Sequence, residues 1–149
     1  MKRLVYIIII LISYTSLSYS KEINCASHNV YVIDADTIKL CNMKIRLNGI
    51  SAAERGHATY KPCKKIVEKI IAESDTVSCK LTGDMTYDRH VGICRVTKKD
   101  KTEDLQQKII ENGCARECKR YSSGKYKIFE TEASRELPLP NYCKWDLFF

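Results

Sequence analysis

The sequence lacks any apolar run long enough to cross a bilayer. Its longest run, Leu4–Ile12, has nine residues, whereas a membrane-spanning helix needs about 20, so we exclude an integral membrane protein. Two basic residues precede this run, and the small residues Ser18 and Ser20 follow it. A basic start, a short apolar centre and a small-x-small exit predict a secretory signal peptide over residues 1–20.

The sequence also lacks a C-x-x-C pair, and its three histidines are scattered. Structural zinc sites are built from clustered cysteine and histidine, so zinc is the weaker of two explanations for the eight cysteines. All of the cysteines follow the predicted signal peptide. An even count in an exported chain predicts disulfides in an oxidising compartment, either the periplasm or the extracellular medium.

No repeat, linker or low-complexity segment divides the rest of the chain. Residues 21–149 are therefore predicted to form a single domain. Hydrophobic residues make up 44% of the sequence, which excludes a disordered chain. The net charge is +7.

Alternation of apolar and polar residues predicts five short strands. They cover residues 30–33, 37–41, 43–47, 76–81 and 91–96. Asp34-Ala35-Asp36 marks the first turn, and residues 49–59 and 83–89 are predicted loops. Helical spacing of apolar residues predicts helices over 62–71, 103–111 and 126–137. This order predicts an α+β fold, a five-stranded OB-type β-barrel with about three helices.

One disulfide follows from the predicted strands. Cys79 and Cys94 lie on the strands that flank the loop over residues 83–89. Antiparallel pairing of Leu81–Thr82 with Val91–Gly92 brings the two cysteines opposite each other. The other six cysteines allow 15 pairings, and the sequence does not choose among them.

Four motifs contain the charged residues that could carry chemistry. Singly, each has an ordinary explanation, because D-x-D is common at turns and a strand arginine is usually solvated. In chain order they are Asp34-Ala35-Asp36-Thr37, then Ile45-Arg46-Leu47-Asn48-Gly49-Ile50-Ser51-Ala52-Ala53-Glu54, then Met85-Thr86-Tyr87-Asp88-Arg89, and finally Asp104-Leu105 with Asn112-Gly113-Cys114-Ala115.

Together these motifs resemble those of the thermonuclease (staphylococcal nuclease-like) family, in its exported, cysteine-containing form. The resemblance covers about residues 30–137 and keeps the R-x7-E spacing of Arg46 and Glu54. It implies metal-assisted hydrolysis of phosphodiester bonds in DNA or RNA. Glu54 would be the general base, while Arg46 and Arg89 would grip the phosphate and stabilise the transition state.

The resemblance also implies a Ca²⁺ site. Asp36 would hold the ion with help from Ser51 and Ala52, because calcium prefers oxygen ligands. Ser51 stands where the family has an aspartate, so one expected carboxylate is missing. Asp34 is close enough in sequence to compensate through water. We therefore expect a weakened calcium site.

Three functions remain open on the sequence. The first is a secreted nuclease that acts as a monomer on nucleic acid. The second is an OB-type module that binds nucleic acid without cleaving it, with Tyr87 or Tyr121 stacking on bases. The third is a disulfide-stabilised protein whose partner is another protein. Glu54 favours the nuclease over the binding module, because a carboxylate beside phosphate repels the ligand of a pure binder.

Overall fold

The structure is a computed structural model, and it describes residues 21–144. The predicted signal peptide, residues 1–20, lies outside this range, as do residues 145–149. The described strands are β1 Glu22–Ala26, β2 Val30–Asp34, β3 Thr37–Leu40, β4 Met43–Leu47, β5 Ile50–Ser51, β6 Thr76–Thr86, β7 Arg89–Lys98, β8 Lys101–Asp104 and β9 Arg116–Glu117. The helices are α1 Tyr60–Ala72, α2 Leu105–Glu111, α3 Lys119–Ser122 and α4 Glu132–Arg135, and 3-10 turns cover Ser27–Asn29, Lys127–Phe129 and Asn141–Cys143.

Seven of the described strands form one mixed sheet. Its order is β1-β6-β7-β4-β3-β2, and β8 also pairs with β7. All pairs are antiparallel except β4 with β7, which is parallel. The edge strands β1 and β2 do not pair with each other. The α+β class is therefore confirmed, whereas the prediction of a closed five-stranded barrel with about three helices is wrong.

The extra strands β1 and β8 explain why the strand count was wrong. β8, with the sequence KTED, has no apolar alternation, and β1, with the sequence EINCA, alternates over only four residues. β1 pairs along β6, and β8 pairs along β7. These strands form because backbone groups at the edges of β6 and β7 are open to pairing, which residue patterning does not reveal.

The hydrophobic core is enclosed by the large sheet and by helices α1 and α2. Ile38, Leu40, Ile45 and Leu47 on β3 and β4 are fully buried, as their alternation predicted. α1 buries a face that includes Val67. The helix begins two residues before the predicted start at Pro62. A proline within the first turn is tolerated because the first amide groups of a helix have no intrahelical partner.

Both predicted loops contain strand. In the segment 49–59, Ile50–Ser51 pairs with Arg116–Glu117. In the segment 83–89, β6 continues to Thr86 and only Tyr87 and Asp88 separate it from β7. A register shift between Leu81 and Met85 interrupts the alternation of side chains there, because a bulge inserts unpaired residues into a ladder.

The predicted helix over residues 126–137 is also wrong. A 3-10 turn at Lys127–Phe129 is followed by extended backbone at Glu130 and Thr131, and α4 begins only at Glu132. The Thr131 hydroxyl caps α4 by accepting the Ser134 N–H at 3.2 Å, which requires non-helical backbone at the cap.

No helix in residues 21–144 has both the length and the apolar content needed to cross a bilayer.

All eight cysteines are paired, so none is free to bind zinc. The predicted bond between Cys79 and Cys94 is present, and these residues are opposite each other in the β6–β7 register. The other pairs are Cys25–Cys41, Cys63–Cys114 and Cys118–Cys143. Four disulfides fit a protein that folds in an oxidising compartment.

Gly49, between β4 and β5, is a position where an added methyl group should destabilise the fold. Its φ is +77°, and a Cβ atom there would lie 2.8 Å from the Ser122 Cβ on α3. Both the backbone conformation and the contact exclude larger residues. We expect Gly49→Ala to lower the free energy of unfolding by about 2 kcal/mol, measured by denaturant titration.

The matched control for this variant is Gly124→Ala. Gly124 has a φ of +90°, but its added Cβ would meet no atom within 4 Å. It should therefore cost only the backbone term, about 1 kcal/mol. Equal losses in the two variants would show that the contact with Ser122 adds nothing.

Candidate active site

The turn between β2 and β3 places two carboxylates side by side. β2 ends at Asp34, and the Asp36 N–H donates to Asp34 Oδ1 at 3.2 Å. Ala35, at the centre of this turn, is not among the residues with positive φ. The turn therefore forms without glycine.

The Asp36 carboxylate is held in the interior by three donors. Its side chain is only 12% exposed. Oδ2 accepts the Ala52 N–H at 2.8 Å and lies 3.0 Å from Arg46 Nη2. Oδ1 accepts the Thr37 hydroxyl at 3.2 Å. The ion pair with Arg46 balances the charge of this buried carboxylate.

Arg46 also binds backbone carbonyl groups. Nη1 donates to Leu47 O at 2.8 Å and to Asp36 O at 3.3 Å. Nη2 donates to Ile50 O at 2.9 Å. With the Asp36 carboxylate, these contacts tie β4 to the β2–β3 turn and to β5. The family resemblance assigned Arg46 only to the phosphate, and this structural role was missed.

Arg89 is held less tightly than Arg46. Its Nη1 donates to the Thr37 hydroxyl at 3.2 Å, and its guanidinium carbon lies 5.9 Å from the centre of the Tyr87 ring. Among residues 21–144, no carboxylate forms an ion pair with Arg89. Its other N–H groups therefore remain available to an anionic ligand.

Glu54 lies in the loop between β5 and α1. Its backbone carbonyl accepts the His57 N–H at 3.1 Å, which fixes the start of the loop. Its exposed carboxylate has no hydrogen bond or ion pair with any described residue. The carboxylate oxygens are free to accept a proton or a hydrogen bond from water.

A cavity of about 570 Å³ brings the three predicted catalytic residues together, because Arg46, Glu54 and Arg89 all line it. The two arginines meet there because β4 pairs in parallel with β7, in a register that sets Arg46 opposite Val91. Glu54 reaches the cavity from the loop after β5. The family resemblance grouped these residues, and the structure gives them a shared surface.

The predicted metal residues are placed differently. Asp36, Ser51 and Ala52 are not part of the cavity lining, and Ser51 and Ala52 are buried. They connect to the cavity through Arg46, which contacts Asp36. The predicted catalytic and metal residues are therefore adjacent but face different surroundings.

Two carboxylates, those of Asp34 and Asp36, are the charged oxygen ligands at the predicted calcium site. Burial, together with repulsion from the neighbouring Asp36 charge, raises the pKa of Asp34 to about 6. Ser51 adds only a neutral hydroxyl. In the described part of the chain, no cluster of three or more His, Cys, Asp or Glu side chains could hold a metal. Both oxygens of Asp36 already accept hydrogen bonds, from Thr37, Ala52 and Arg46, so a calcium ion at this position remains a proposal.

Three further side chains at the cavity were given no role from the sequence: Asp84, Met85 and Tyr142. Asp84 and Met85 lie in the segment that was predicted to be a loop. Tyr142 is distant in sequence from every motif, and the only signal of its position is the neighbouring Cys143. A pairing of Cys143 with Cys118 could not be chosen from the sequence.

Comparisons with known proteins do not identify the chain. A scan against protein-family models found no match, and neither did a search of curated proteins.

Proposed function

We propose that this protein is an exported nuclease that hydrolyses phosphodiester bonds in DNA, RNA or both, as its resemblance to thermonucleases implies. The observation that supports this is the shared cavity of about 570 Å³, where the unpaired Glu54 carboxylate lies with Arg46 and Arg89. Hydrolysis of a phosphodiester needs a base for water and cations for the developing negative charge. This set of residues supplies both.

The proposed mechanism assigns one task to each residue. Glu54 accepts a proton from water as the water oxygen bonds to phosphorus, and the bond between phosphorus and the leaving oxygen breaks. Arg89 donates hydrogen bonds to the non-bridging phosphate oxygens through its free N–H groups. Arg46, held rigidly by its acceptors, contributes fixed positive charge beside the transition state. The leaving oxygen takes a proton from solvent.

Calcium is part of this proposal. Asp36 would hold the ion with Asp34, Ser51 and Ala52, and the ion would supply additional positive charge close to the phosphate. The proposal also includes that the protein is exported to the periplasm or the extracellular medium and that it acts as a monomer. The four disulfides support export because they persist in oxidising compartments.

The decisive experiment is digestion of plasmid DNA and of RNA by purified, oxidised protein, with calcium or with a chelator. We expect cleavage with calcium and little with chelator. Binding of a labelled strand without cleavage under either condition would favour the second candidate, a nucleic-acid-binding module. That candidate is supported by Tyr87 at the cavity, which is 92% accessible. Exposed aromatic rings stack on the bases of single strands in nucleic-acid-binding proteins.

Ser51 is the position where the calcium requirement can be changed. We expect Ser51→Asp to lower the calcium concentration needed for half-maximal cleavage by at least about tenfold. A carboxylate about 4 Å from a divalent ion gains several kcal/mol at an effective dielectric constant of 20, and desolvation removes part of that gain. Cleavage rates measured across a calcium titration test this expectation.

The control is Asp36→Ala, which removes the central ligand in the proposal. It should raise the calcium requirement or abolish cleavage. An unchanged calcium titration in both Ser51→Asp and Asp36→Ala would remove calcium from the proposal.

A further inference from the structure

Three tyrosine rings from separate parts of the chain line the cavity that contains Glu54. Tyr87 comes from the β6–β7 turn, Tyr121 from α3 and Tyr142 from the 3-10 turn Asn141–Cys143. The three residues are 92%, 50% and 49% exposed, in that order. Large aromatic side chains left this accessible around a cavity with two arginines and two carboxylates are available to a ligand.

Tyr142 reaches this surface through a covalent link. The adjacent Cys143 is 1% exposed and is bonded to Cys118, which itself lines the cavity. The Cys118 N–H donates to Gly49 O at 2.8 Å, so the disulfide fixes the C-terminal segment to the β4–β5 wall. A residue far from the motifs in sequence is thereby held at the cavity that Arg46 and Arg89 also line.

No polar contact with a described residue holds the Tyr142 side chain. Within residues 21–144 its hydroxyl has no hydrogen-bond partner and its ring has no cation above it. Buried tyrosines usually place the hydroxyl on a partner, as Tyr126 does on Asp104. The Tyr142 ring is instead half accessible at the edge of a cavity lined by two arginines.

We propose that Tyr142, positioned by the Cys118–Cys143 disulfide, stacks on an unpaired base of a single-stranded nucleic acid. This inference rests on the proposed function, since it adds a base contact to the phosphate contacts of Arg89. A π-face suits any base, so the contact selects single strands over duplex, where base faces are covered by their neighbours. A volume of about 570 Å³ lies within the range of sites for small ligands.

The test measures binding apart from cleavage. Full-length protein carrying Glu54→Gln is titrated with single-stranded DNA, single-stranded RNA and a DNA duplex, each labelled for fluorescence anisotropy. Adding Tyr142→Ala should weaken binding of the single strands by about tenfold, the typical effect of losing one stacked base. Tyr142→Phe keeps the ring and should stay within about twofold.

Two controls separate stacking from damage to the fold. Tyr31→Ala removes a ring that is 61% exposed on β2, outside this cavity, and should leave binding unchanged. Cys118→Ser with Cys143→Ser should weaken single-strand binding as much as Tyr142→Ala does, and adding Tyr142→Ala to that pair should cause no further loss. An equal loss of affinity for duplex and single strand, or no loss at all in Tyr142→Ala, would overturn the inference.

Failure of this inference can be distinguished from failure of the proposed function. Cleavage of the same strands by the wild-type protein is measured in parallel. Cleavage together with unchanged binding in Tyr142→Ala rejects only the role of Tyr142. Absence of cleavage together with Tyr142-dependent binding rejects the nuclease and retains the stacking contact. A preference for DNA or RNA appears directly as a difference between the two single-stranded ligands.

Discussion

Replacing Glu54 with glutamine is expected to reduce the hydrolysis of DNA and RNA by at least about 100-fold, because positioned acid–base catalysis contributes 10²- to 10⁴-fold. The amide has nearly the same shape as the carboxylate but cannot accept the proton from the attacking water. Binding of nucleic acid should be unchanged or slightly tighter, since a negative charge beside the phosphate is removed. Initial rates on a labelled oligonucleotide, with anisotropy for binding, measure both effects.

The cavity offers a matched control in Asp84→Asn. Asp84 also lines it, and its carboxylate accepts the Thr82 hydroxyl at 3.1 Å. This carboxylate therefore has a partner, unlike that of Glu54, and its amide variant should keep most of the activity. Residual activity of Glu54→Gln within about tenfold of wild type would mean that Glu54 is not the base.

Removing the guanidinium of Arg46 is expected to have the largest effect on stability. Arg46→Met should lower the free energy of unfolding by about 3 kcal/mol, because breaking a buried ion pair leaves an uncompensated charge. The charge left behind is that of Asp36, whose side chain is 12% exposed. Three carbonyl groups, Asp36 O, Leu47 O and Ile50 O, also lose the hydrogen bond from Arg46. Denaturant titration at neutral pH measures this loss.

Arg89→Met is the control for the stability measurement. Arg89 has one hydrogen bond, to the Thr37 hydroxyl, and no ion pair with a described residue, so the loss of stability should stay below about 1 kcal/mol. Its effect should appear in cleavage rate instead. Equal destabilisation by the two variants would contradict the assignment of a structural role to Arg46 and a ligand-binding role to Arg89.

Much of the central fold could be predicted from the sequence. The strands around Ile38 and Ile45 and the helix around Val67 have strong periodic burial, and local patterning is sufficient for such elements. The Cys79–Cys94 bond followed from strand pairing alone. The short strands β5 and β9 could not be predicted in this way, because two-residue ladders form only where tertiary packing brings their backbones together.

The candidate site divides along the same line. The sequence by itself determined the residue types at Arg46, Glu54 and Arg89 and their order, which resembles that of one family of nucleases. The tertiary structure decided how these side chains are placed and which of them are free. The parallel pairing of β4 with β7 brought the two arginines to one cavity. The contacts of Arg46 left its terminal nitrogens occupied. The position of Tyr142 was also decided only by the tertiary structure. It depends on the Cys118–Cys143 bond, and a disulfide forms only where the fold brings two cysteines within bonding distance, which local sequence does not reveal.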